Sequence, residues 1–130
     1  MTAQARFRSW IAFPALLVLG LAAPAHGETV LITPSVTAPL GDAVRCRIVN
    51  GGTRAIEVRV ELRGPAGGLY LDDDLVVQAG TVESRGTLVS GPAMDVHCRF
   101  AGNFKKSSVR ASIDILSSAV DRTTVVAPAQ

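Results

Sequence analysis

Two cysteines, Cys46 and Cys98, stand 52 positions apart, and neither belongs to a CxxC pair of the kind that holds a metal or cycles a dithiol. In an oxidising compartment that spacing reads as a structural disulfide. Closing a loop of this length stabilises by about 4 kcal/mol in the chain-entropy view. His97 follows Asp95 by two positions, so on a strand the two share a face and could form an acid/base unit or half a metal site. Catalysis would need a nucleophile and an oxyanion donor as well, and a metal would need further ligands. No Ser or Thr lies in a recognisable nucleophile motif. The expectation is a solvated strand face, with no catalytic residue, no metal site and no cofactor. Asp72, Asp73 and Asp74 offer hard oxygens suited to Ca²⁺. They lack the alternating spacing of an EF-hand, so an acidic turn between two short strands, residues 69–71 and 75–77, is expected instead.

The remaining segment with chemical interest is Gly102-Asn103-Phe104-Lys105-Lys106-Ser107. An aromatic beside two lysines at a loop tip can anchor a partner, because loops on a rigid scaffold often carry binding. Phe104, Lys105 and Lys106 are therefore the candidate binding loop. The competing reading folds Phe104 back as a lid over the end of the domain.

Export comes from the other end of the chain. Arg6 and Arg8 precede a 13-residue apolar run at 11–23, too short for a membrane span. Ala25-His26-Gly27 then offers a cleavage site before Glu28, with a second choice before His26. The two arginines are not adjacent, and no Cys follows the run to take a lipid. Residues 1–27 are thus expected to be a cleavable signal peptide, and the product a soluble periplasmic or secreted protein without stable membrane insertion. Removing 27 of the 130 residues leaves 103, enough for one domain. The 13 basic and 11 acidic residues become 11 and 11 once Arg6 and Arg8 leave, which argues against a nucleic-acid partner.

The elements that must position these residues alternate with period two. At 44–49, Val44, Cys46 and Ile48 take one face and Arg45 and Arg47 the other. Asn50-Gly51-Gly52 follows as a turn in which positive φ comes cheaply. At 56–63, Ile56, Val58, Val60 and Leu62 point inward while Glu57, Arg59, Glu61 and Arg63 face water. A weak strand is expected within 81–89. Val96, Cys98 and Phe100 alternate inward again, 101–108 is a hairpin loop, and Val109, Ala111, Ile113 and Ile115 close the domain. Residues 28–116 form the domain and 117–130 a flexible tail, in which 123–126 could pair at an edge.

Seven or eight short strands with regular turns predict an all-β, antiparallel sandwich. Cys46-Arg-Ile-Val-Asn-Gly-Gly-Thr, the alternating run 56–63 and Cys98-Arg-Phe resemble bacterial secreted immunoglobulin-like sandwich domains without assigned activity. The resemblance implies an inter-sheet disulfide, with Cys46 on strand B and Cys98 on strand F. The sequence departs from antibody domains in two places. Its one Trp, Trp10, leaves with the signal, and Val96 stands where a tyrosine corner would need Tyr. The functional expectation is an exported, non-catalytic module for binding or assembly whose partner is an unidentified protein or glycan. A small exported enzyme inhibitor or enzyme is the alternative.

Overall fold

A computed structural model describes residues 27–117 and 123–130. The expected signal segment up to residue 26 lies outside the described residues, as do residues 118–122. The strands are β1 (Thr29–Ile32), β2 (Val36–Ala38), β3 (Ala43–Asn50), β4 (Ile56–Arg63), β5 (Leu69–Val77), β6 (Val82–Leu88), β7 (Met94–Gly102), β8 (Val109–Leu116) and β9 (Thr123–Pro128). They form two antiparallel sheets. One has the order β1-β7-β4-β5, with β2 continuing along the same strand β7, and the other has the order β6-β3-β8-β9.

Alternation dictates which side of each strand is buried. Val44, Cys46 and Ile48 from β3 meet Val58, Val60 and Leu62 from β4 and Val96, Cys98 and Phe100 from β7, all at 2 % exposure or less. Ile113 and Ile115 of β8 complete the interior. Cys46 and Cys98 are bonded, and the bond joins the two sheets through β3 and β7. The break between β1 and β2 falls at Pro34, which has no N–H to give a ladder. Thr33 bridges the gap by taking the Cys98 N–H on its hydroxyl and giving its own N–H to the Cys98 carbonyl.

Four sequence expectations are corrected. Asp72–Asp74 are not a turn: β5 runs unbroken from Leu69 to Val77, because both outward and inward aspartates find arginine partners. The 101–108 segment is not a hairpin loop, since β8 pairs with β3 and the connection crosses from one sheet to the other. Residues 117–130 are not a tail throughout: the edge pairing open to 123–126 is made, as β9 adds to β8 from Ser112 to Leu116, and Gln130 exchanges two backbone hydrogen bonds with Ile32 of the opposite sheet. Asn50-Gly51-Gly52 does not use positive φ, which among the described residues occurs at Gly41, Ala66, Gly67 and Gly80.

Candidate binding site

One end of the sandwich gathers the start of β1, the β3–β4 loop and the β7–β8 loop around an open cleft of ≈ 660 Å³. Asn50 builds it. Fully buried at the end of β3, its side-chain amide donates to the Arg54 carbonyl at 2.8 Å and to the Val77 carbonyl at 3.0 Å. Its Oδ1 accepts the Gly52 N–H at 2.9 Å, which fixes the β3–β4 loop. The facing loop is tied down as well. Gly51 donates its N–H to the Ser108 carbonyl at 2.8 Å, and Ser108 donates both its N–H and hydroxyl to the Lys105 carbonyl. Thr29 closes the third side with a 2.7 Å hydrogen bond from its hydroxyl to the Phe104 carbonyl.

Phe104 is 7 % exposed and belongs to the core cluster, so it is the lid and not a protruding anchor. With β7 and β8 in different sheets, its ring covers the gap between them at this end. Lys105 and Lys106 remain exposed, as does Arg54 across the cleft. These three cations differ from the other described arginines. Arg45, Arg47, Arg59, Arg63, Arg85 and Arg99 all pair with carboxylates, and Arg110 donates to backbone carbonyls. Arg54, Lys105 and Lys106 have no ion-pair partner among the described residues, and no Asp or Glu lines the cleft. Two of the three, Lys105 and Lys106, are the chain's only lysines.

The outer sheet face carries the second concentration of charge. Glu61, expected to face water, is only 4 % exposed. Antiparallel register sets Arg99 directly across from it on β7, while Arg59 and Arg63 flank it on its own face of β4. Arg63 Nε lies 2.7 Å from its carboxylate, Arg99 Nη1 3.3 Å and Arg59 Nε 3.5 Å. The hydrogen bond from Arg63 is the main cause holding the Glu61 carboxyl below its ordinary range, with the nearby charge of Arg63 and Arg99 adding and burial opposing. Asp72 is lowered too, chiefly by its hydrogen bond from Arg59. On the other sheet, buried Asp114 takes Arg45 at 3.0 Å and Arg47 at 2.8 Å on Oδ2. Its Oδ1 is buried with no hydrogen-bond partner among the described residues. Both clusters are structural ion-pair networks in which arginines hold Glu61 and the Oδ2 atom of Asp114.

Of the other sequence candidates, Asp95 and His97 keep the same outward side of β7, to either side of buried Val96. Asp95 accepts the Thr37 hydroxyl, while His97 lies in register with Arg63 on β4. Asp73 reaches from the inner side of β5 to Arg85 of β6 at 2.6 Å, away from Asp72, which turns outward to Arg59. Arg54 and Asn50 were missed as site residues. Cross-strand register and loop contacts, which place them, leave no periodic mark in a sequence. No family model, curated protein or solved structure matches this chain.

Proposed function

We propose that this chain is an exported, non-catalytic binding module, an immunoglobulin-like sandwich variant that engages an anionic partner at its cationic loop end. The carrying observation is that Arg54, Lys105 and Lys106, alone among the described arginines and lysines, are committed neither to a carboxylate nor to a backbone carbonyl. Arg54 and Lys105 line one cleft, and Lys106 follows directly on the same loop. Arginines with fixed partners stiffen the sheets; unpaired lysines at a pinned loop keep their charge available to another molecule. Acidic protein segments and acidic glycans both present suitable carboxylates or sulfates. The mature chain is formally neutral, so attraction arises from this local cluster and weakens as salt shortens its reach.

An exported mature protein should begin at Glu28 by intact mass. Its binding to a fluorescent oligoglutamate peptide and to a sulfated oligosaccharide can be titrated at low and physiological salt. Affinity for at least one probe is expected, weakened by salt. The charge-reversed variant Arg54→Glu/Lys105→Glu/Lys106→Glu should lose at least about tenfold, or about 1.4 kcal/mol, with an unchanged melting temperature. Absence of binding to both probes, or equal binding by the variant, would refute it.

A further inference from the structure

The two strands that end the sheets on the same side of the sandwich, β5 and β6, have no strand partner on their outer edges among the described residues. They are joined by the short connection 78–81, so both free edges open onto one flank. Exposed apolar residues concentrate there: Leu69, Tyr70 and Val76 on β5 and Val82 and Leu88 on β6 account for five of the seven large exposed hydrophobics among the described residues. Unpaired edges of this kind accept another strand unless something blocks them.

Charge decides which strand fits. Pairing β5 with a second β5 would oppose the Asp72-Asp73-Asp74 run with itself, and pairing β6 with a second β6 about its centre would set Arg85 against Arg85. Like charges directly opposite destabilise a ladder. Pairing β5 with β6 does the reverse. Strand register fixes the faces: Asp73 is across from inward Val60 on β4, and Arg85 is across from inward Cys46 on β3, so both are inner-face positions. Val76 and Val82 are outer-face positions at 55 % and 53 % exposure. An antiparallel register that sets Asp73 opposite Arg85 also sets Val76 opposite Val82, Asp74 opposite Ser84, and Asp72 opposite Gly86.

We propose that this chain pairs with a second copy of itself along this flank, β5 of each copy adding to β6 of the other. A two-fold axis parallel to the strands forms both ladders at once, which closes the assembly at two chains. Within each copy Asp73 already holds Arg85 at 2.6 Å. The dimer turns that pair into a ring of four alternating charges, flanked by the valine pairs. The aspartates that forbid β5 from pairing with itself thus select β6 as its partner.

Sedimentation of the exported chain across a concentration series tests this, with circular dichroism and melting temperature as controls for folding. Val76→Glu and Val82→Lys change residues that are exposed within one copy, so each should stay folded. The wild-type chain should sediment as a dimer at tens of micromolar, as expected of a specific interface. Either single variant should shift at least about tenfold toward monomer, since it places a charge opposite a valine. The double variant should recover the dimer, because each introduced carboxylate on β5 then faces an introduced ammonium on the β6 of the other copy. A wild-type monomer throughout, single variants that remain dimeric, a double variant that fails to recover, or an open-ended polymer would each overturn the proposal.

Discussion

A single carboxylate shows how far the side-chain environment departs from strand periodicity. Glu61 occupies an outward position on β4, yet three arginines roof it to 4 % exposure. Its partners keep their own outer surfaces wet, so the desolvation that makes a buried ion pair costly is shared with solvent-facing guanidinium groups. Because the folded carboxyl sits below its ordinary value of 4.5, its contribution is complete above that range and is lost as pH falls through the lower folded value. Asp72 titrates with the same sign. Glu61→Gln should therefore lower stability by about 1.5 to 3 kcal/mol at pH 7, the range for hydrogen bonds to charged groups. The gap between variant and wild type should narrow below about pH 4, where the wild-type carboxyl is itself protonated. Denaturant midpoints measured from pH 7 down to pH 3 would read this directly. A gap that stays constant over that range would mean that packing, and not charge, holds Glu61.

At the level of the strand, close approach is set by which atoms a neighbour presents. A methyl group built on Gly102 in β7 would lie 2.3 Å from the Glu57 carbonyl oxygen, part of the adjacent backbone. The same group on Gly64 would meet the Tyr70 ring at 2.3 Å, but that ring is 48 % exposed and can swing into solvent. Gly102→Ala is expected to cost about 1 to 3 kcal/mol, as overpacking does, and Gly64→Ala distinctly less. Equal losses in chemical denaturation would show that the ring at Tyr70 is as fixed as a sheet. The sequence made β3, β4, β7 and β8 readable because each buries one face, and burial leaves an apolar-polar alternation. It misled at β5, where Asp72-Asp73-Asp74 reads as a turn until Arg59 and Arg85 are brought alongside by register. Strand β9 left only a faint mark, since an edge strand is held largely by backbone hydrogen bonds that any residue but proline can make. In the binding end, Lys105 and Lys106 were visible as a pair, whereas Arg54 joins them only because Asn50 folds the preceding loop back on itself.

In the whole molecule, the disulfide and the chain terminus divide the work of holding the sheets together. Cys46 and Cys98 link β3 and β7, each an interior strand of its sheet. One flank is further closed by the paired backbone hydrogen bonds between Gln130 and Ile32, while the β5–β6 flank is joined by the half-exposed pair Asp73–Arg85. An exposed ion pair contributes at most about 1 kcal/mol, so the two flanks should differ in resistance to opening. Replacing both cysteines with Ala removes the loop constraint, worth about 4 kcal/mol in the chain-entropy view. Against a total of about 5 to 15 kcal/mol for a domain of this kind, the variant should remain folded with little reserve. Opening should then begin where the sheets are least joined. Amide hydrogen exchange on the Cys46→Ala/Cys98→Ala protein should show β5 and β6 losing protection first, with β1 and the central strands β3 and β7 following at higher opening energy. The comparison is made at a concentration below dimer formation, because an added strand would protect the same amides. Uniform loss across all strands, or earlier loss at β1 than at β5 and β6, would place the weak flank on the other side and would make the bridge to Gln130 dispensable.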